Sequence, residues 1–464
     1  MHQLQTGSAT LSGLRNTVNG AVLVPGDEGY EAACGGFELA IRHRPAVVVL
    51  PEDAAGVVAA VRFARAHDLP IAVQATGHGQ LWACEGGMLI NTSRFRKVTI
   101  DAERAIARVE AGAQWRDVLP AAHAHGFAAL CGTSPDVGVV GYTLGGGTGW
   151  LARRYGYACD SVVAAEIVTG DGHRLRATEH ENADLFWALR GGGGSFGVVT
   201  ALEFRLYPVP EVYGGTLFFP MERAREVFVA YARWTQTVPA ELTSTICILH
   251  LPPLPFIPEP LRGQSVVAVQ LCFAGAADQG AAIVSPLRGL GPMLDFVSAM
   301  PYTEVGRIAN EPEHPMHTLI GTESLSDLPE DLIGRVLEAV GDRTRTSLAI
   351  IAFRHLEGAY SKAPESASAV GRPELKYLMV SVGPVFHASM EAKVDADTRA
   401  LVDLARPHRA GTPVRNFIAW NSTDREVFSS ATCRRLARIK EHYDPDNLFR
   451  YGLPVPSAAR EAVA

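Results

Sequence analysis

Residues 132–149, Gly-Thr-Ser-Pro-Asp-Val-Gly-Val-Val-Gly-Tyr-Thr-Leu-Gly-Gly-Gly-Thr-Gly, carry more information than any other stretch of the chain. Glycine has no Cβ, so a backbone built from it can adopt positive φ and lie directly against a bound ligand. A second glycine run follows at 191–194, and a third site flanks a histidine in Thr76-Gly77-His78-Gly79. One glycine run alone is more often a turn. Three such sites, separated by strands and helices, indicate a large anionic cofactor held at several points.

The composition is that of a globular enzyme. The 464 residues include 47% hydrophobic and 20% charged side chains, and the formal net charge is −7. That charge argues against a nucleic-acid partner, and no apolar run reaches the length of about 18 residues that would predict a membrane span. Residues 1–18 lack the pattern of a signal peptide. The seven cysteines are scattered without CxxC spacing, which predicts reduced thiols and a cytoplasmic location.

The order of predicted elements divides the chain into three segments, 1–207, 208–410 and 411–464. In the first, short β-branched strands at 47–50 and 71–74 alternate with helices until a strand stops at Pro208-Val209-Pro210. The second segment fits an antiparallel sheet covered by helices. Its predicted strands are 243–251, 265–273, 347–356 and 375–385, and its helices lie near 221–235, 329–341 and 391–406. The third segment ends with a helix at 430–442. The predicted class is α+β.

Five motifs in order resemble those of a known flavoprotein family. They are Gly77-His78, the 132–149 stretch, Asp184-Leu185-Phe186-Trp187-Ala188-Leu189-Arg190 with its glycine run, Phe196-Gly197-Val198-Val199-Thr200, and Tyr443-Asp444-Pro445-Asp446-Asn447-Leu448-Phe449-Arg450. Together they resemble the berberine-bridge-enzyme-like FAD-linked oxidases, within the vanillyl-alcohol-oxidase type of flavoproteins, in a singly linked bacterial subgroup. The resemblance implies a PCMH-type FAD-binding domain, an inserted substrate domain, and a tail that returns to the FAD domain.

The resemblance also implies a covalent cofactor. In the family, the histidine that matches His78 is bonded to the 8α carbon of FAD; without the resemblance, a surface histidine in a turn would be the simpler interpretation. Many relatives add a thioether from a cysteine, but Ser134 stands at that position and Cys131 lies three residues earlier, so no cysteinyl link is expected. The other residues expected to bind FAD are Thr76, Gly77, Gly79, Ser134, Gly138, Val139, Leu144, Gly145, Gly146, Gly147, Gly149, Val198 and Asn447.

The residues that handle oxygen and the substrate proton are less clearly marked. Val139, Tyr142 and Leu144 lie where the family controls oxygen access, although each could simply be a packing residue. Relatives often carry a tyrosine that serves as the proton acceptor, but Val414 stands at that position. A neutral imidazole can take that role. The candidates are therefore His355, then His250, with Tyr142 as a further choice, and a structural role for each histidine is the alternative. No spacing of His, Cys or Asp indicates a metal site.

The function expected from the resemblance is oxidation of a small organic substrate of the secondary-metabolite kind. The substrate would pass a hydride to flavin N5, and molecular oxygen would accept the electrons and give hydrogen peroxide. One alternative is a flavin monooxygenase or oxidative rearrangement catalyst. Another is a flavin-binding protein without activity, for which the missing tyrosine is the support. The sequence leaves the substrate and the oligomeric state open.

Overall fold

The computed structural model describes residues 8–362, 368–371, 375–418, 427–452 and 455. Within them the helices are α1 (Ser8–Thr17), α2 (Tyr30–Cys34), α3 (Ala54–Ala66), α4 (Trp115–His123), α5 (Val139–Leu144), α6 (Ala152–Tyr155), α7 (Ala183–Leu189), α8 (Ala224–Trp234), α9 (Ala277–Arg288), α10 (Glu330–Val340), α11 (Ala388–Ala405) and α12 (Ser430–Tyr443). The strands are β1 (Gly20–Leu23), β2 (Val47–Pro51), β3 (Ile71–Gln74), β4 (Met88–Asn91), β5 (Val98–Asp101), β6 (Ile106–Glu110), β7 (Val162–Val168), β8 (Arg174–Thr178), β9 (Val198–Arg205), β10 (Glu211–Pro220), β11 (Leu242–His250), β12 (Ser265–Phe273), β13 (Leu294–Asp295), β14 (Ser298–Pro301), β15 (Thr318–Leu325), β16 (Ile350–His355) and β17 (Tyr377–Pro384).

The N-terminal half contains two sheets. The first has the order β1-β2-β4-β3, with β4 parallel to both of its neighbours, and the second is the antiparallel sheet β5-β6-β9-β7-β8. Helix α3 covers the first sheet because Val57, Val61 and Ala64 share one buried face. Its start is capped by Asp53, whose carboxylate accepts a hydrogen bond of 2.8 Å from the backbone N–H of Gly56. These features match the strand and helix pattern predicted from the sequence.

The middle of the chain forms one large antiparallel sheet of order β13-β10-β12-β11-β16-β17-β15, with β14 paired to β10. One face is covered by α8, α10 and α11, which bury an apolar core. The other face is turned toward the N-terminal half. The sequence predicted the central strands and these helices, but it missed the long strand β10, which starts directly after the Pro208–Pro210 turn, as well as β15 and α9. The α+β class and the inserted antiparallel sheet are confirmed.

The C-terminal tail packs against the N-terminal half. Leu448 and Phe449 join the core beneath α3, and the carbonyl of Leu448 accepts a 2.7 Å hydrogen bond from the N–H of Ile71 at the start of β3. This is the return of the tail that the family resemblance implies. The boundaries at 207 and 410 stay predictions. Among the described residues, no helix combines the length and the apolar character needed to cross a membrane.

Candidate functional site

A large cavity lies between the glycine-rich segments of the N-terminal half and the exposed face of the middle sheet. Its volume is about 1610 Å³. Pockets for one small molecule usually measure about 300–1,000 Å³, so this cavity has room for a dinucleotide and a second molecule. Of the residues predicted as sites, the structure brings these to the cavity wall: Thr76, Gly77, His78, Gly79, Ser134, Gly138, Tyr142, Leu144, Gly145 and His250.

His78 stands on the loop that follows β3, and its position depends on Gly77. The φ of Gly77 is +77°, and a Cβ there would lie 2.7 Å from the Cα of Gly36, which no side chain could tolerate. The neighbouring Thr76 carbonyl accepts a 2.9 Å hydrogen bond from Phe37 N–H. The Phe37 ring then stacks on the imidazole, with 3.7 Å between ring centroids. The loop is therefore held so that the imidazole is 17% exposed at the cavity wall.

Asp136 orients the imidazole from the other side. His78 Nε2 lies 2.9 Å from Asp136 Oδ2, and the hydroxyl of Ser134 donates a 2.6 Å hydrogen bond to Oδ1. Burial opposes ionisation of Asp136, but the hydrogen bonds from His78 and Ser134 outweigh it, so the pKa of this carboxyl is lowered. No described residue forms a hydrogen bond with the other ring nitrogen, Nδ1. The sequence did not identify Asp136, although it lies inside the stretch that was singled out.

The position of the family's second attachment holds no thiol. Ser134 occupies it and is engaged with Asp136. Cys131 is fully buried away from the cavity, with its sulfur 3.3 Å from the Tyr302 hydroxyl, and burial raises its pKa to about 12. A thiol with that pKa stays protonated near pH 7 and is a poor nucleophile. The interpretation of Cys131 as a buried thiol is thus confirmed.

The cavity wall fits a ligand that approaches the backbone closely. A Cβ built on Gly79 or on Gly141 would meet no protein atom within 4 Å, because both residues line the open cavity. A wall of bare backbone beside a wide cavity is what a bulky cofactor such as FAD requires. The residues present therefore fit the cofactor that the motifs imply.

Three glycines of the quoted stretch, Gly146, Gly147 and Gly149, lie away from the cavity wall and serve packing. A Cβ on Gly147 would lie 2.6 Å from Ala158 Cβ, and one on Gly149 would lie 1.7 Å from the Cys131 carbonyl oxygen. The φ of Asn447 is +50°, in a turn of the tail. Predicted cofactor contacts that the structure places away from the cavity wall are Val139, Gly146, Gly147, Gly149, Val198 and Asn447.

Tyr142 projects from α5 to the cavity wall. Its ring packs edge-on against Trp115, and its hydroxyl is buried without a hydrogen-bond partner among the described residues. Burial raises the pKa of this phenol well above its ordinary value, whereas the positive charge of Arg354 lowers it to a smaller extent. Tyr142 is consequently a neutral phenol, and its hydroxyl lies in the buried region beside Gly149. A proton acceptor at this position is not supported.

His355 lies on the wrong face of the sheet to meet a substrate. It pairs with Ser244 of β11 and Tyr377 of β17, and all three point into the core under α8 and α10. Its side chain is 0% exposed, Nε2 lies 2.8 Å from Glu357 Oε2, and Nδ1 contacts the Arg153 guanidinium. Burial lowers its pKa to about 4. The prediction that His355 takes the substrate proton is therefore corrected to a structural role.

His250 reaches the cavity wall, but both of its ring nitrogens are occupied. Nδ1 lies 2.8 Å from the Ser265 hydroxyl, and Nε2 lies 2.8 Å from the carbonyl oxygen of Val340. Since a carbonyl only accepts, Nε2 carries the proton and Nδ1 accepts from the serine. Burial lowers the pKa of this imidazole. These bonds make His250 the structural histidine that the sequence had left as an alternative.

The tail contributes Asn416, two residues after Val414. Val414 is buried in an apolar cluster away from the cavity. The Asn416 side chain accepts a 2.7 Å hydrogen bond from Gly147 N–H and donates one of 2.9 Å to the Tyr142 carbonyl. Asn416 thereby ties the tail to the glycine segment and to α5, and it lines the cavity itself.

The middle sheet supplies a row of polar side chains that sequence reasoning missed. Directly paired residues on neighbouring antiparallel strands point to the same face, and the pairs Thr216–Gln270, Gln270–Thr245 and Thr245–Arg354 all face the cavity. Alternation along β16 places Arg354 and His355 on opposite faces, but alternation alone does not say which face meets the cofactor. The next rows toward the far end of the cavity are mostly apolar and include Phe218, Cys247, Ala352, Leu249, Ile350 and Val382.

The comparisons with known proteins agree with this geometry. Residues 45–178 match the family described as FAD binding domain, and residues 422–456 match the one described as berberine and berberine like. The chain is 27% identical to an FAD-linked oxidoreductase of Dictyostelium discoideum, with 94% of each chain covered. It is 26% identical to (R)-6-hydroxynicotine oxidase of Paenarthrobacter nicotinovorans, with 94% of this chain and 96% of that protein covered.

A solved structure shares the fold along nearly the whole chain. The crystal structure of 6-hydroxy-D-nicotine oxidase from Arthrobacter nicotinovorans superposes with a TM-score of 0.82 at 23% identity, covering 95% of this chain and 98% of that one. The cofactor implied by the motifs and by the matching domain is FAD. The ordered motifs, the FAD binding domain at residues 45–178, the berberine-like segment at residues 422–456 and the shared fold make this chain similar to the berberine-bridge-enzyme-like FAD-linked oxidoreductases.

Proposed function

We propose that this protein is an FAD-linked oxidase of a small organic substrate, with FAD attached covalently as the 8α-histidyl derivative of His78 and with no cysteinyl link. The observation that carries the proposal is the placement of His78. Its ring opens on a glycine-lined cavity, one nitrogen is engaged with Asp136, and no described residue occupies the other. We also propose that the chain falls in the singly linked bacterial subgroup, because Ser134 replaces the second attachment residue.

Asp136 prepares the histidine for attachment. A carboxylate with a lowered pKa accepts a hydrogen bond but cannot donate one, so the proton of the neutral imidazole stays on Nε2. The lone pair then resides on Nδ1, which is the nitrogen that would be bonded to the 8α carbon when FAD is attached. A hydrogen-bonded carboxylate also makes an imidazole a better electron donor. Ser134 keeps the carboxylate in place through its own hydrogen bond to Oδ1.

The substrate would lie between the polar row of the sheet and the backbone wall of the N-terminal half. The chemistry that FAD supplies when bound is acceptance of a hydride at N5, followed by reoxidation with molecular oxygen to give hydrogen peroxide. At this end of the cavity Thr245 offers a hydroxyl and Gln270 offers an amide, which would orient a polar substrate group. The apolar rows beyond them favour a substrate with a hydrophobic body, as in many secondary metabolites.

Oxygen access and cellular location complete the proposal. Gly141 and Leu144 of α5 line the cavity with little bulk, which supports access of a small apolar gas from that side. All seven cysteines lie among the described residues, and none of them forms a disulfide. Free, mostly buried thiols are typical of a reducing compartment, which supports a cytoplasmic location.

Anaerobic reduction tests the oxidase proposal. The purified yellow protein is mixed under argon with a panel of hydroxylated aromatic and heteroaromatic compounds that includes (R)-6-hydroxynicotine. A substrate is expected to bleach the visible flavin band, and air is expected to restore it with formation of hydrogen peroxide. A flavin that is bleached but regains its colour only with an artificial dye would contradict oxygen as the acceptor. Incorporation of labelled oxygen into the product would instead favour the monooxygenase, and no bleaching by any compound would favour an inactive flavin-binding protein.

A further inference from the structure

Arg354 is a charged side chain that forms no hydrogen bond with a carboxylate among the described residues. It lies on β16, faces the cavity, and is 17% exposed. Its Nε is buried with no hydrogen-bond partner among the described residues. Guanidinium groups are always protonated, and buried ones are normally paired or fully hydrogen-bonded. Arg354 therefore reaches the cavity wall with unused hydrogen-bonding capacity, which an acceptor group of a bound ligand would fill.

The groups around Arg354 do not satisfy it. The nearest carboxylate is Glu311, whose Oε1 lies 3.9 Å from Nη2, which is beyond hydrogen-bond distance. On another side the guanidinium lies 4.8 Å from the centre of the Phe417 ring, a cation–π contact that supports the planar group without using its N–H donors. Arg354 is thus held in place by an aromatic ring while its hydrogen-bonding edge stays available.

Neighbouring side chains on the sheet extend a polar patch from Arg354. Thr245 is its direct partner on β11, and Gln270 is the next residue of the same row. The Gln270 carbonyl oxygen accepts from the Cys247 thiol at 3.7 Å, so the group that Gln270 has left for a ligand in the cavity is its amide NH₂. Guanidinium and amide groups both donate, so together they match a planar oxyanion rather than a cation.

The patch lies at the end of the cavity where the chemistry is proposed to occur. Burial raises the pKa of the Tyr142 phenol on α5, and the positive charge of Arg354 is near enough to offset part of that rise. Away from this end, the same sheet face continues with Ala352 and Ile350, so the cavity changes from polar to apolar along β16. A ligand that complements this change from polar to apolar side chains has an anionic group at the Arg354 end and a hydrophobic body beside Ala352 and Ile350.

We infer that Arg354, assisted by Gln270, binds a carboxylate or a comparable planar oxyanion of the substrate, and that the substrate is therefore an amphipathic organic anion. The inference rests on the proposed function insofar as it places the substrate in this cavity. A guanidinium can bind such a group through two parallel N–H donors, which fixes its orientation as well as its charge. Glu311, the nearby carboxylate, competes weakly for the same guanidinium.

Benzoate and benzamide, which have nearly the same shape, test this assignment in the flavin-loaded protein. Each is titrated while the visible flavin spectrum is recorded. Benzoate is expected to bind more tightly than benzamide by roughly 10- to 100-fold, the usual range for a hydrogen bond to a charged group. Arg354→Met should abolish the preference. Arg354→Lys should keep part of the preference for benzoate, because the positive charge remains while the two parallel N–H donors of the guanidinium are lost. Glu311→Gln should tighten benzoate binding, because it removes the competing carboxylate.

Equal binding of the two probes by the wild type, no spectral response to benzoate, or full benzoate affinity in Arg354→Met would each overturn the inference. Flavin content is read from the same spectra. If FAD is bound and reducible but the anion preference is absent, the inference fails while the proposed function stands; a protein that retains no FAD would refute the proposed function itself. Should Arg354→Met not fold, the opposite shifts expected for Arg354→Lys and Glu311→Gln decide the matter.

Discussion

At the scale of single residues, the sequence singles out His78 as a candidate for flavin attachment, but it does not reveal the Asp136 carboxylate that contacts the imidazole. The histidine lies between glycines in a motif that can be read locally, whereas its contact with Asp136 spans 58 positions of the chain. An Asp in Ser134-Pro135-Asp136 looks like an ordinary turn residue. The two side chains come into contact because the fold places this segment beside the loop after β3.

Asp136→Asn should slow covalent attachment of FAD. The amide can still accept a hydrogen bond, but it lacks the charge that stabilises positive charge developing on the imidazole. The expected loss in attachment rate is roughly 10- to 100-fold, the equivalent of one charge-assisted hydrogen bond. It is measured by adding FAD to apo-protein and following the flavin fluorescence that survives acid precipitation. The control is Asp171→Asn, which breaks a comparable exposed pair with His173 at 2.7 Å; equal rates in wild type and Asp136→Asn would remove Asp136 from this role.

His355 shows a second limit at the residue scale. An imidazole suits a proton acceptor, but a fully buried one cannot reach a substrate. Whether His355 is buried depends on which face of β16 meets the core. In the fold its pKa falls to about 4, whereas an unfolded histidine titrates near 6.5. Below about pH 6.5 the unfolded chain therefore binds a proton that the folded protein refuses.

The free energy of unfolding should consequently decrease as the pH falls from about 6.5 toward 4, by about 2 kcal/mol at pH 5 from this group alone. At an unfolding entropy of about 2.1 cal/mol/K per residue, the loss corresponds to roughly 2 °C in the melting temperature of a 464-residue chain. The measurement compares melting at pH 7 and pH 5 for wild type and His355→Gln. The other titrating groups act equally in both proteins, so the wild type should lose more. The same pH dependence in both would show that His355 is protonated in the folded state.

At the scale of elements, the sequence predicts the spacing of side chains along the strands and helices, but it does not predict which face of a strand meets the cavity. The alternation of side chains along β16 places Arg354 and His355 on opposite faces, and α3 buries the face on which its apolar residues recur. One face of β16 packs under α8 and α10, and the other lines the cavity. Both faces carry apolar residues, so the sequence pattern alone does not show which face meets the substrate. Strand β10 was missed because two prolines precede it and glycines interrupt it.

Helix α5 offers a test of the backbone wall. Gly141 faces the cavity, and a Cβ added there would meet no protein atom within 4 Å; Gly13 in α1 has the same freedom but lies elsewhere. Gly141→Leu should fold yet lose bound flavin, because the side chain would occupy the space of the cofactor. Gly13→Leu should keep the wild-type flavin content. The ratio of the visible flavin band to the protein band, with circular dichroism as the check on folding, reports both. Full flavin content in Gly141→Leu would contradict this position for the cofactor.

At the scale of the whole molecule, the closing motif locks the tail onto the N-terminal half. Asp444 is fully buried, forms an ion pair with Lys440, and accepts hydrogen bonds of 2.9 Å from the N–H groups of Leu448 and Phe449. Lys440 also donates 2.7 Å to the carbonyl of Ser195 beside the second glycine run. The motif was recognised from the sequence by resemblance, but its physical role depends on contacts with residues about 245 positions away.

Asp444→Asn should destabilise the protein by about 3–5 kcal/mol, because it leaves the Lys440 ammonium buried without its counter-charge. Asp446→Asn, two residues along, removes only an exposed pair with Arg65 and should cost less than about 1 kcal/mol. Urea denaturation followed by tryptophan fluorescence gives both values. Similar losses for the two variants would mean that the buried pair does not hold the tail.

Covalent attachment at His78 is tested most directly by locating the flavin on the chain. The protein is denatured, digested with protease, and its peptides are identified by mass spectrometry. The peptide that contains His78 should carry a flavin adduct on the imidazole, and the peptide that contains Cys131 and Ser134 should carry none. Release of all flavin on denaturation, or an adduct on Cys131 in place of His78, would contradict the proposed attachment.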